Sequence, residues 1–470
     1  LPSRPLLIID KEGNFQIMKQ KILWLFVSLF AFQLSAFAQQ PKLVPNKISL
    51  KNGKTFNLNL PAEYEIIPAA EGLKRVRFFA KSPDGRIFVT DMFNVTDNTK
   101  GKVYILENWD EQTGKFGKVT PYMTNLKNPN SAAFYTDSDG QDWFYLAETH
   151  QLTRRKFTRG ETKPTDTKPQ ILATFPAEGL SYKYGGWHLT RTIAFSPNGK
   201  LYVSVGSSCN ACDEEASEKE RARATVQEMN VDGTGQRTFA KGLRNAVGLK
   251  WIAGALWATN QGSDHLGLDK PDETFYALKD GADYGWASCY QANGKIFFDK
   301  TKPGKLKKPT KRLKSCSDVP VSYAYFPSRS SALGFDYFDA PDTDEIIKNA
   351  FLVSLHGSTD KNIGHGYKIV IMRKDEKLQD FLNGFLKGKI VNGRPCDIIR
   401  LDANSFLFTD DFSGVVYYVR KKGWKSEIDE AETEAYKNLV QDLQDTNPSN
   451  QKFCFGFTAI LLGVCVRLFI

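Results

Sequence analysis

The chain has 470 residues, of which 41% are hydrophobic and 25% charged, the proportions of a folded protein and not of a disordered one. Aromatic residues reach 13%, and 36 Gly and 21 Pro are spread along the chain, which favours strands joined by many turns and excludes collagen-like or linker-like sequence. The formal charge is +10; residues 1–38 and 451–470 carry +2 each, leaving +6 for 39–450, a mild excess with no nucleic-acid motif that reads as solvated surface and fits an anionic small-molecule ligand equally well.

Residues 1–17 precede a start at Met18 and read as upstream read-through. From Met18 a charged stretch leads into an apolar run, Ile22 to Phe32, and ends at Ala36-Phe37-Ala38. Charged start, apolar middle and small-x-small end describe a secretory signal peptide over 18–38. The expectation is an exported protein, periplasmic or secreted, in which disulfides form.

Beyond Gln39 a unit of two short strands joined by a turn recurs six times, at 77–91, 130–148, 191–205, 245–260, 331–340 with 350–358, and 395–411. Asp84-Gly85, Asp139-Gly140 and Asn198-Gly199 supply hairpin turns. The copies stand about 50 to 85 residues apart, as repeats with inserted loops do. Strand-rich repeats at this spacing indicate one four-stranded sheet per copy. The expectation is an all-β fold, a six-bladed β-propeller over 45–425, with GKVYILEN (101–108) and GVVYYVRK (414–421) among the outer strands. A β-sandwich would show closer and more even strands.

In a propeller the innermost strands line a channel, and loops at one rim form the site. Residues just before each first strand should therefore converge: Arg75 or Arg77, Asn130, His188 with Arg191, Arg244 with Asn245, Arg329, and Arg394. Guanidinium groups around one axis repel each other and call for an anion with several acceptor oxygens. A planar polyanion beside one imidazole, that of His188, fits this set. Neighbouring positive charge keeps such an imidazole neutral and able to act as a base. His150, His265, His356 and His365 show no metal-ligand spacing, and there is no nucleophile elbow or dinucleotide-binding glycine loop, which disfavours zinc hydrolase, elbow hydrolase and Rossmann readings.

Cys209 and Cys212 are spaced for a tight local disulfide, Cys289 and Cys316 flank a Lys-rich excursion that a bond would staple, and Cys396 reads as a buried thiol. Residues 426–446 are acidic and helix-prone and fall outside the ring. The apolar run 453–470 is marginal for a membrane span. It reads either as a tail anchor, with membrane contact only in that case, or as sequence outside the native frame.

The segments GWHLTRTIAFSPNGKLYVSVGSSCNACDE, FAKGLRNAVGL, LWATNQGSDHLG with PDETFYALKDGADYGW, VSLHGS with GYKI, and NGRPCDI together resemble the L-sorbosone dehydrogenase family, related to the soluble quinoprotein glucose and aldose sugar dehydrogenases. The resemblance covers about 70–425. It implies a six-bladed propeller holding pyrroloquinoline quinone (PQQ) with Ca2+, and oxidation of a sugar or sugar-derived hydroxy-aldehyde. Electrons would leave to a separate acceptor, a cytochrome or a quinone. Carried over by motif, His188 is the general base and Arg244 stabilises charge on the reduced cofactor. Arg191, Arg244, Asn245, His356 and Arg394 contact the cofactor, and Gly262 and Ser263 offer backbone carbonyls to calcium. Asp272 and Glu273 stand close behind, either as loop support or at another ion. The chain departs from the family pattern at Arg329, Thr359-Asp360 and Gln261-Gly262-Ser263-Asp264, positions that leave the substrate open. The alternatives are a calcium-dependent propeller lactonase and a non-catalytic propeller binding protein.

Overall fold

A computed structural model describes residues 40–177, 188–212, 221–301 and 313–424. The expected signal peptide, 18–38, and the tail 426–470 lie outside the described residues. The chain divides into two units, Leu1–Pro41 and Lys42–Ile470, and every strand among the described residues belongs to the second.

Six four-stranded antiparallel sheets make up the propeller. Their innermost strands are Val76–Lys81, Ser131–Thr136, Arg191–Phe195, Ala246–Ile252, Ala332–Phe338 and Pro395–Arg400. Each innermost strand touches the next around a closed circle. The six repeats of the sequence are the inner hairpins of the six blades, and 101–108 and 414–421 fall on third strands. Second strands such as Ile87–Asp91, Asp142–Ala147 and Ala350–Leu355 are buried at every position. Blades cover both of their faces, so apolar residues run on without alternating. Between the fourth and fifth blades, for example, Phe275, Phe335 and Phe351 pack edge to face, an arrangement that aromatic quadrupoles favour.

Ring closure was not visible in the repeats. The last blade takes its outermost strand from the other end of the chain: Tyr64–Ala70 pairs antiparallel with Val415–Lys421. The strands of the ring thus run from Tyr64 to Lys421, and not from 45. The residues before them form a separate hairpin, Leu43–Ser49 with Thr55–Pro61. That hairpin docks on the fifth blade through paired Asn59 and Asn383, backbone to backbone and amide to amide. An alternating pattern marks a strand but does not say which sheet it joins.

Adjacent blades are tied by hydroxyls. The innermost strands that begin at Val76, Ala246 and Pro395 each carry a β-bulge, and a threonine of the second strand fills it. Thr90 Oγ1 accepts the Phe78 N–H and donates to the Asn130 carbonyl at 2.7 Å. Thr259 Oγ1 accepts the Gly248 N–H and donates to the Leu333 carbonyl, both at 2.9 Å. Thr409 Oγ1 accepts the Asp397 N–H at 2.9 Å and donates to the Arg77 carbonyl at 2.7 Å. In each case one hydroxyl satisfies a backbone donor left over by the bulge and an acceptor at the head of the next blade.

Thr409→Val keeps the shape and removes both bonds. Each buried group left unpaired costs about 1–3 kcal/mol, so the urea midpoint is expected to fall clearly, while Thr409→Ser stays near the wild type. An unchanged midpoint for Thr409→Val would show that the hydroxyl does not hold the ring.

Candidate active site

Antiparallel pairing puts the start of each innermost strand and the end of its second strand at the same end of the blade. Repeated around the ring, this places the expected residues on one rim. A common device sets three of them. The last residue of the second strand receives the backbone N–H at the head of its own blade: Asp91 Oδ1 accepts from Arg75 at 2.9 Å, Asn260 Oδ1 from Asn245 at 3.1 Å, and Asp410 Oδ1 from Arg394 at 2.8 Å.

On one side of the rim the cations gather on Asp411, whose side chain is fully buried. Arg75 Nη1 donates to Asp411 Oδ2 at 3.0 Å and Arg77 Nη1 to the same oxygen at 2.7 Å. His356 Nε2 meets Asp411 Oδ1 at 2.7 Å, and Arg394 Nη1 lies 3.4 Å from His356 Nδ1. Burial pushes the His356 imidazole down to about 4, so it is neutral at pH 7, donating from Nε2 and accepting at Nδ1. His356 and the arginines hold the Asp411 carboxyl well below the usual carboxylate range, against the pull of burial. Arg394 also donates to the carbonyls of Gly357 and Ser358 and to the Tyr367 hydroxyl.

On the other side stand His188 and Arg244. His188 has a left-handed backbone, φ 46°, held where Arg191 Nη1 donates to its carbonyl at 2.8 Å. Its Nδ1 is 2.8 Å from the Ser207 carbonyl. A carbonyl only accepts, so the hydrogen sits on Nδ1 and the lone pair on Nε2. Burial, then the charge of Arg244, drives the imidazole well below its ordinary value. Gly206 makes the close approach possible: a Cβ there would stand 2.4 Å from Asn245 Oδ1 and 2.6 Å from His188 Cβ. Arg244 is buried and donates to Asp264 Oδ2 at 3.0 Å, while Arg329 bonds the other oxygen of Asp264 and the carbonyl of Gly267. Asn245 Nδ2 donates to Gln261 Oε1 at 2.8 Å. Behind this group lies Glu273, raised to about 8 by burial although Arg244 opposes the shift.

The structure thus brings His188, Arg244, Asn245, His356 and Arg394 to one rim. Arg191 is buried, and its guanidinium donates to the carbonyls of His188, Thr190 and Pro176; it supports the base from behind. His356 has both ring nitrogens engaged by Asp411 and Arg394 and so joins those two. Gly262 lies tight against the chain, since a Cβ would meet Pro271 Cγ at 2.3 Å. Ser263 Oγ donates to the Asn210 carbonyl at 3.0 Å and accepts from Trp286 Nε1. Asp272 takes the N–H groups of Asn293 and Gly294, and so supports a loop. Cys209–Cys212 and Cys289–Cys316 are disulfides, and Cys396 is a buried thiol.

Sequence reasoning sought an external anion for the arginines and missed the internal ones, Asp411 and Asp264. The signal was present: Asp410-Asp411 closes the sixth repeat and Asp264 ends the Gln-Gly-Ser-Asp loop.

Asp411→Asn leaves Arg75 and Arg77 facing a neutral amide in a buried site. Breaking a buried pair costs about 3–5 kcal/mol, so a drop of that order is expected in urea unfolding at pH 7. Because the folded Asp411 carboxyl lies below its unfolded value, its contribution is complete above about pH 4 and declines as pH falls further. The gap between wild type and variant should therefore narrow below about pH 4. A gap that is constant down to pH 2.5 would refute the assignment.

Comparison with known proteins agrees with this architecture. The TrAA12-like family matches the chain over residues 60–381. The holo form of the pyranose dehydrogenase PQQ domain from Coprinopsis cinerea superposes with a TM-score of 0.61 at 16% identity, covering 79% of this chain and 98% of that one. The calcium structure of Trichoderma reesei Carbohydrate-Active Enzymes Family AA12 gives 0.59 at 16% identity, over 82% of this chain and 98% of that one. A glucose dehydrogenase crystal structure gives 0.52 at 11% identity, over 77% and 100%. At such identities the likeness speaks for the fold. An uncharacterized protein of Borreliella burgdorferi is 30% identical over 262 residues, 54% of this chain, and the match spans 64% of that curated relative's length. The family match extends over more than half of the sequence and takes in His188, Arg244, Asn245, Gly262, Ser263 and His356: the chain belongs to the TrAA12-like family.

Proposed function

We propose that this protein is a PQQ-dependent dehydrogenase that oxidises an aldose sugar or a sugar-derived hydroxy-aldehyde and passes the electrons to a separate acceptor, a cytochrome or a quinone. The observation that carries the reading is the gathering of arginines around a neutral imidazole on one rim. Arg75 and Arg77 share one carboxylate, Arg244 and Arg329 share another, and Arg394 lies on carbonyls and a hydroxyl. Such a gathering of guanidinium groups fits a cofactor with several carboxylates. When bound, PQQ supplies a quinone that takes up hydride from the substrate carbon.

The chain's own residues do the rest. His188 Nε2 accepts the proton of the substrate hydroxyl, with Nδ1–H anchored on the Ser207 carbonyl. Arg244, Asn245 and Arg394 bind the anionic cofactor, and Arg244 is preorganised toward the negative charge that develops there. Gly262 and Ser263 would give their carbonyls to calcium, an oxygen-seeking ion. Among the described residues no group of three or more His, Cys, Asp or Glu side chains is placed to share a metal, which favours this reading over the carboxylate-rich site of a lactonase. Two disulfides and the leader-like start support an exported, periplasmic or secreted protein.

Absorbance titration of the purified protein with PQQ, with and without calcium, followed by dye reduction on an aldose panel, tests the reading. Calcium-dependent binding and sugar-dependent reduction are expected. Full turnover in a chelated, quinone-free preparation would falsify it.

His188→Ala should lose about 10²–10⁴-fold in turnover while still binding quinone. Because the imidazole is held well below 6.5, the base stays unprotonated on mild acidification. The acid limb of kcat/KM should accordingly lie well below pH 6.5. A limb centred at 6.5 or above would rule out His188 as a base in this environment.

A further inference from the structure

The Cys209–Cys212 disulfide closes a four-residue loop at the rim. Asn210, inside it, bonds several parts of the site at once. Its carbonyl accepts from Arg244 Nε at 3.1 Å, Ser263 Oγ at 3.0 Å and Trp286 Nε1 at 3.1 Å. Its Oδ1 accepts from Arg244 Nη2 at 3.1 Å and from the Asp264 N–H at 2.7 Å. Its Nδ2 lies 3.2 Å from His265 Nδ1.

We propose that Asn210, locked by the Cys209–Cys212 disulfide, is the positioning residue that fixes Arg244 and the Ser263–His265 segment in the arrangement the ligand meets, so that reduction of this disulfide loosens the site. Only the word ligand rests on the quinone reading; the positioning itself is a property of the rim. Main chain and side chain of Asn210 act together, so both must be held. An open tetrapeptide would lose backbone and side-chain entropy to adopt this conformation; a cross-link removes part of that loss beforehand. Packing completes the lock, since Ala211 is buried with Ala224, Trp286 and Ala287, against which both cysteines rest. The loop also reaches the base. Ser207 Oγ donates to the Cys209 carbonyl at 2.7 Å, and the carbonyl of that same serine holds His188 Nδ1. One short covalent ring therefore anchors the supports of both His188 and Arg244.

Opening the ring takes a dithiol reductant. It transfers two electrons and two protons, the S–S bond breaks, Cys209 and Cys212 become thiols, and the reductant leaves as a disulfide.

The test compares Asn210→Ala with Asn210→Asp, which keeps an acceptor at Oδ1, in the full-length protein. Without quinone, hydrogen exchange at the Asp264 N–H should speed up about tenfold in Asn210→Ala, the loss of one hydrogen bond, and stay near wild type in Asn210→Asp. With PQQ, Asn210→Ala should weaken binding about 10–100-fold, as supporting contacts typically do. In an Arg244→Lys background the same change should add little. Dithiol treatment of a Cys289→Ser/Cys316→Ser variant should reproduce the faster Asp264 exchange, and does so without relying on the folding of an Asn210 variant. Unchanged Asp264 exchange in both Asn210→Ala and the reduced protein, or an equal affinity loss in both Arg244 backgrounds, would overturn the proposal. If the wild type binds no PQQ, the quinone reading fails, and the exchange measurement still decides the positioning.

Discussion

Crowded positive charge governs this structure. Six blades bring the heads of their inner strands to one rim, and several of those heads carry arginine. Such a ring is tolerable only with internal carboxylates, and the fold supplies two, each shared between two guanidinium groups: Asp411 for Arg75 and Arg77, Asp264 for Arg244 and Arg329. Sharing one carboxylate between two cations holds both in place. Burial keeps both His188 and His356 neutral, helped at His188 by the charge of Arg244 and opposed at His356 by Asp411. Stability and candidate chemistry thus come from one charge arrangement, and the carboxylates are as much a part of the site as the arginines.

The arrangement needs a rigid ring. Threonine hydroxyls in three inner-strand bulges tie each of those blades to the next, and Tyr64–Ala70 closes the last blade onto Val415–Lys421. With the rim fixed, short local contacts do the aiming. Asp91, Asn260 and Asp410 set the backbone of Arg75, Asn245 and Arg394. Arg191 holds the strained His188 backbone from below, and the disulfide-closed loop around Asn210 grips Arg244. The departures at Arg329 and Asp264 acquire a physical sense here, because they form a second clasp on the loop that carries Gly262 and Ser263.

Much of this was legible in the residues. The six repeats became the six inner hairpins, the Asp-Gly and Asn-Gly turns closed them, and Cys289 found Cys316. Rim positions were readable because a repeat assigns the same place to the same register. The roles of individual side chains were less so. Arg191 and Arg394 both precede or open an inner strand, yet one turns to the loop beneath His188 and the other to the rim loop at Gly357 and Ser358. His356 is carried over by its His-Gly-Ser motif as a cofactor contact, and only the structure shows that it bridges Asp411 and Arg394.

What the sequence by itself determined is the number of blades, the face on which polar residues collect and the chemical character of that face, since strand periodicity and repeat register are local and recur along the chain. Only the tertiary structure decided how the ring closes and which cation meets which carboxylate. Arg77 and Asp411 are 334 positions apart, and nothing local joins them. Their contact exists because the final blade borrows its outer strand from the beginning of the chain and so seats the sixth repeat beside the first.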